Sequence, residues 1–206
     1  MERLAKKLAH TIAISQGYNK EREAVVEYGL IALFQMSMIA CVIAFFGLLF
    51  GIAYESILIF IGVGLLRKAT GGAHSNSINR CMATSCLNIL FLAYLSKLLV
   101  TIAPHSWSFL CILLLGFLWC FIIISMKAPV DSPRKPITSQ EKIKRLRRQS
   151  VWTITIYFLL FLLLWFCGQY TPHFQSLAVS LCLLSLWQCF TLTMLGHRLI
   201  NKIDQI

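Results

Sequence analysis

Two residues in this chain have the side chains of a nucleophile and a base. His74 and Cys81 lie in one polar stretch, Arg67-Lys68-Ala69-Thr70-Gly71-Gly72-Ala73-His74-Ser75-Asn76-Ser77-Ile78-Asn79-Arg80-Cys81, set between two apolar segments. A cysteine attacks as its thiolate, and a free thiol with a pKa of about 8.5 is mostly protonated at neutral pH. A neighbouring imidazole takes that proton and later returns it to a leaving amine. Arg80, beside Cys81, further favours the anion. The spacing sets a condition. Seven residues are about two helical turns, so on a straight helix the two side chains share a face but sit roughly 10 Å apart. That is beyond hydrogen-bond reach, so the chain must bend. Gly71 and Gly72 supply the bend, because glycine adopts backbone conformations that strain other residues. Cys86 is a poorer partner for His74, since it lies five residues past Cys81 and well round the helix. Taken alone, the pair also reads as a polar loop with a capping histidine.

Other chemistries fit less well. His74, Cys81 and Cys86 match no standard zinc spacing and lack a fourth ligand, so no metal and no cofactor is expected. The eight cysteines show no regular spacing and do not read as a disulfide framework. Cys41, Cys111, Cys120, Cys167, Cys182 and Cys189 lie inside apolar runs and read as small core residues.

The elements that must position the pair are membrane segments. Apolar residues make up 58% of the 206 residues and charged residues 13%, outside the range of soluble domains. The expectation is an all-α, polytopic integral membrane protein forming a single domain over 1–206. Apolar runs predict six segments, over about 29–51, 52–66, 84–102, 107–126, 151–168 and 174–196. The second is short: 15 residues reach roughly 22 Å, against a hydrocarbon core of about 30 Å, so it crosses with thinning or inserts partially. Residues 1–28 hold an amphipathic lead-in. Leu4, Leu8 and Ile12 make an apolar stripe flanked by Ala5, Ala9 and Ala13, with Arg3, Lys6 and Lys7 off it. That suits an anionic lipid surface or the protein's own cytoplasmic side. Asn19 reads as a helix N-cap, and so does Ser139, which opens a basic helix running into the fifth segment. A short polar tail ends the chain.

Charge then gives orientation. The net charge of +11 raises the question of nucleic acid. However, 18 of the 19 Lys and Arg residues fall in 1–28, 67–83, 127–150 and 197–206, and Lys97 is the exception. Six crossings put those four stretches on one side, as the positive-inside rule requires of cytoplasmic loops. No nucleic-acid partner is expected. Both termini and the His74/Cys81 stretch (67–83) are expected in the cytoplasm, as is the basic loop 127–150.

Gly71-Gly72-Ala73-His74 followed by Arg80-Cys81 resembles the catalytic signature of the AgrB family, the accessory gene regulator peptidases of Gram-positive quorum sensing. Ala128-Pro129-Val130-Asp131-Ser132-Pro133-Arg134-Lys135-Pro136-Ile137 resembles that family's loop after the fourth apolar segment. The resemblance implies a membrane cysteine endopeptidase with His74 and Cys81 as its dyad. It implies cleavage of a quorum-sensing propeptide through a thioester on Cys81, then cyclisation to a thiolactone or lactone autoinducing peptide. It implies an AgrD-like substrate with an amphipathic leader and an acidic tail, and a homodimer. Lys135 and Arg145 in the basic loop are candidates to hold the acidic tail, Asp131 to support the site, and membrane lipids to hold the leader. The chain has no G-x-x-x-x-G-K-[ST] phosphate loop, so cyclisation must run near equilibrium and be drawn forward by removal of products. From a different class, the intramembrane Asn88 and the short second segment fit a small multi-pass transporter or channel without peptidase activity.

Overall fold

The computed structural model describes residues 2–72, 78–103, 106–130 and 139–203. In chain order its helices are α1 (Glu2–Gln16), α2 (Lys20–Leu49), α3 (Ala53–Thr70), α4 (Ile78–Ile102), α5 (Trp107–Lys127), α6 (Gln140–Cys167), α7 (Pro172–Thr191) and α8 (Met194–Ile203). The all-α expectation holds, and five helices are long and apolar enough to cross a membrane: α2, α4, α5, α6 and α7. α3 is not among them. Its 18 residues include Glu55, Arg67 and Lys68, so the short second segment remains the one that does not reach a full span by length and composition.

The chain divides into two compact units, Met1–Val42 and Ile43–Ile206. In the first, α1 buries Ala5, Ala9 and Ala13 and leaves Leu4, Leu8 and Ile12 exposed. That exposed apolar stripe suits a lipid surface. Asn19 caps α2 as expected, its Oδ1 accepting from Arg22 N–H at 3.0 Å. His10 Nδ1 and Glu23 Oε1 lie 3.0 Å apart and link the two helices.

In the second unit α7 is the hub. It packs against α3, α4, α5, α6 and α8, and 67% of its apolar window is buried, against 28% or less in the other four spanning helices. The reason lies in its sequence. Between helices in lipid the hydrophobic driving force is weak, so close packing and side-chain hydrogen bonds decide which helix sits centrally. α7 offers the buried small residues Ser176, Ala178, Ser180, Cys182, Ser185 and Cys189. Ser180 Oγ donates to Ser96 Oγ of α4 at 2.8 Å. On the other side, Phe117 of α5 meets Phe161 of α6 with ring centroids 5.0 Å apart, continuing to Trp165 and Phe109. Tilted and edge-on ring pairs of this kind favour a fixed register between the two helices.

α3 is held at both ends and at its middle. Buried Glu55 in its first turn accepts from Ser176 Oγ of α7, with His173 Nδ1 3.7 Å away. Midway, Tyr157 Oη of α6 donates to Gly62 C=O at 2.7 Å. Its far end is tied by Gln188 of α7, described below. Lys97, the cation outside the basic loops, donates to Gly51 C=O at 2.6 Å.

Several expectations need correction. The sixth segment does not run on to Gly196. α7 stops at Thr191, and Thr193 restarts the chain as α8, its Oγ1 accepting from Gly196 N–H at 3.2 Å. The tail is therefore a helix with exposed Met194, Leu195 and Leu199 beside basic Arg198 and Lys202. A threonine hydroxyl that caps a new helix ends the old one, a signal that the apolar run hides. Cys41 and Cys111 are exposed, so they are not core residues, whereas Cys120, Cys182 and Cys189 are buried; all eight cysteines are free. Ser139 stands at the α6 N-cap, but its side chain makes no capping bond.

Candidate active site

Cys81 sits in the first turn of α4 and is half-buried. The turn is braced by Thr84, whose Oγ1 donates to Arg80 C=O at 2.8 Å and lies 3.2 Å from Cys81 C=O.

The cation that interacts electrostatically with Cys81 includes one that the sequence reading passed over. Arg67, in the last turn of α3 and beyond its apolar part, has its Nε buried. Burial pushes the guanidinium below its ordinary pKa, and the charge interaction with Cys81 partly opposes that. Arg67 at the end of α3 is thus near enough to Cys81 on α4 for the two to interact electrostatically. Arg80, expected to favour the anion, is exposed one residue before it.

The two glycines take up a turn at the end of α3. Gly71 has φ +70° and Gly72 φ +128°, both in the half of backbone space that suits glycine. At Gly71 a side chain would collide with the backbone carbonyl of Val130. Gly71 and Val130 form an isolated parallel bridge, and Val130 N–H donates to Thr70 C=O at 2.8 Å. Arg147 Nε of α6 in turn donates to Ala128 C=O at 3.0 Å. The two stretches that sequence reading singled out separately, around Gly71 and around Val130, are therefore joined edge to edge. A third contact comes from α7: Gln188 Nε2 donates to Thr70 Oγ1 at 3.0 Å and to Gly71 C=O at 2.8 Å.

The structure thus brings together Gly71, Gly72 and Val130, and Arg67 with Cys81. Arg145 lies exposed near the start of α6. His74, Asp131 and Lys135 lie outside the described residues. Among the described residues no cluster of three His, Cys, Asp or Glu could hold a metal. Arg67, Thr70 and Gln188 were missed as site residues. Arg67 and Thr70 stood inside the polar stretch, and Gln188 was a polar residue within an apolar helix, which marks either an inter-helix bond or a functional group.

The family model described as accessory gene regulator B matches residues 1–192. Two AgrB-like proteins of Clostridium perfringens, one from strain SM101 and one from strain 13, are each 30% identical to this chain, covering 99% of it and 96% of the relative. No solved structure matches. With a family match over nearly the whole chain and two full-length relatives, this protein belongs to the AgrB family, which takes part in accessory gene regulator quorum-sensing peptide processing.

Proposed function

We propose that this protein is a membrane cysteine endopeptidase that cuts the C-terminal part from a quorum-sensing propeptide and supports its cyclisation. The observation that carries the reading is the place of Cys81, half-buried in the first turn of α4 and within electrostatic range of Arg67 from α3, in a chain of the AgrB family. A helix terminus and a cation both stabilise a thiolate.

In the reaction, His74 takes the Cys81 thiol proton and the sulfur attacks the scissile carbonyl carbon. Backbone N–H groups at the start of α4 are the candidate donors to the resulting oxyanion. The carbon–nitrogen bond then breaks, and the imidazolium gives its proton to the departing amine, leaving a peptidyl thioester on Cys81. A thiol or hydroxyl inside the propeptide attacks that thioester. Its proton returns through His74 to the Cys81 sulfur, and a thiolactone or lactone leaves.

The propeptide is AgrD-like. Its acidic tail meets the basic loop, Lys135 and Arg145 included, and its amphipathic leader shares the lipid surface with α1. Asp131 supports the site, and the working unit is a homodimer. When α3 crosses together with the five long apolar helices, eighteen of the nineteen Lys and Arg residues fall on one side, and the positive-inside rule then makes that side, with the site, the cytoplasmic face of a bacterial cell membrane.

The test is co-expression with an AgrD-like propeptide. Cys81→Ser and His74→Ala should each abolish cleavage while leaving membrane insertion and melting temperature unchanged. Continued cleavage by either variant would refute the assignment.

A further inference from the structure

We propose that Gln188 is a positioning residue of this site: from α7 it fixes the Gly71–Gly72 turn, and so the place where the chain leaves α3 toward His74. The proposal rests on the dyad reading above.

Gln188 is 1% exposed. Its amide nitrogen donates both hydrogens at the end of α3, one to Thr70 Oγ1 at 3.0 Å and one to Gly71 C=O at 2.8 Å. The Gly71 carbonyl lies past the helix end, beyond the backbone donors of α3, and besides Gln188 it accepts from Thr70 Oγ1 at 3.2 Å. Gly72 packs on the same amide: a side chain there would come within 3.4 Å of Gln188 Nε2 and 3.0 Å of Thr191 Oγ1. The turn is therefore held from two sides, by Val130 N–H on Thr70 C=O and by Gln188 on Thr70 and Gly71. The amide does this at a cost. Gln188 Oε1 is buried with no partner among the described residues, a loss that an apolar side chain at this position would avoid. A glutamine that serves only helix packing has no reason to spend both donors on a turn two residues before the base. Holding that turn fixes where the chain departs from α3 two residues before His74, which matters because the sequence separation of His74 and Cys81 keeps them out of reach on a straight helix.

The experiment uses the full chain in lipid nanodiscs. Alkylation of Cys81 by iodoacetamide is followed by mass spectrometry of the Cys81 peptide at pH about 7 and about 9.5. A free thiol is only a few per cent ionised at the lower pH and almost fully ionised at the higher, so support of the thiolate by a base is visible at the lower pH alone. Gln188→Leu should slow alkylation by about threefold or more at pH 7 and leave it within about twofold of wild type at pH 9.5. His74→Ala should do the same, and the double variant should be no slower than His74→Ala. Coupling of that kind is what a double-mutant cycle reports for residues acting through one another. Equal slowing at both pH values would mean altered access or packing and would overturn the proposal. So would wild-type rates in Gln188→Leu alongside slow His74→Ala, with the dyad surviving. Wild-type rates in His74→Ala would remove the dyad reading and this proposal with it. If Gln188→Leu does not fold, Thr70→Val deletes one of the two bonds and should show the same pH-selective slowing, smaller in size; its absence would equally overturn the proposal.

Discussion

Replacing Gly71 by alanine tests whether the turn is built as described. Three effects act together. Gly71 has φ +70° and ψ −144°, a region that is nearly glycine-only, and strain of this type costs about 1–3 kcal/mol. The new Cβ would also meet the Val130 carbonyl, which is backbone and cannot swing aside like a side chain. Relief requires parting the bridge, with loss of the Thr70–Val130 and Gly71–Gln188 bonds at 2.8 Å each. Each such bond contributes about 0.5–1.5 kcal/mol net. Since the chain either bears the strain or loses the bonds, the effects do not simply add, and the expected destabilisation is about 2–4 kcal/mol. Gly64→Ala is the control within the same helix: nothing lies within 4 Å of its Cβ position, so it should stabilise α3 by about 0.5–1 kcal/mol. The assay is denaturant unfolding in mixed micelles, paired with propeptide cleavage. Gly71→Ala should unfold earlier and cut at least about tenfold more slowly, since small displacements at a site carry costs of that order or more. A Gly71→Ala protein as stable and active as wild type would refute the turn geometry.

Arg67→Gln should slow Cys81 alkylation at neutral pH by about threefold to tenfold, with the same mass-spectrometric readout; an unchanged rate would remove Arg67 from the site. Burial lowers the Arg67 pKa, and a base is charged below its pKa. Because a guanidinium stays protonated in proteins, Arg67 itself should add no pH dependence between about pH 6 and 9, which a rate profile of Arg67→Gln against wild type would check. At the other end of α3, Glu55→Leu should destabilise by about 1–3 kcal/mol through loss of the Ser176 bond, while Glu55→Gln, which keeps an acceptor, should cost less. Unfolding midpoints that rank the two variants the other way would contradict the described packing.

Much of this was legible from residue types. Long apolar runs gave the spanning helices, because each residue in them contributes independently to the cost of leaving lipid. Asn19 announced the start of α2 through a side chain that accepts from the Arg22 N–H three residues on. Gly71 and Gly72 announced a break in the helix, and both have positive φ where α3 ends. What stayed hidden depends on partners distant in the chain. Nothing local to Gln188 says that its amide meets a turn 117 positions earlier. Arg67 stood in the polar stretch as one cation among several, because sequence alone cannot separate a side chain that reaches water from one buried near a thiol. The break between α7 and α8 was lost because Thr193 and Gly196 sit in an otherwise apolar run, where a cap is hard to tell from a buried hydroxyl. α3 showed its ambiguity from the start, its apolar part being bounded by Glu55 at one end and Arg67 and Lys68 at the other, so that it is too charged to count among the spans.

The most direct test of Cys81 as the nucleophile is to trap its acyl intermediate. Purified protein in nanodiscs is mixed with an AgrD-like propeptide whose internal cysteine is replaced by alanine, so that cyclisation is blocked. The reaction is then quenched in acid and analysed by mass spectrometry. The expected result is a peptide adduct on Cys81, released by hydroxylamine and missing from Cys81→Ser and His74→Ala. Propeptide cleavage by wild-type protein with no adduct at Cys81, or with the adduct on another cysteine, would contradict it.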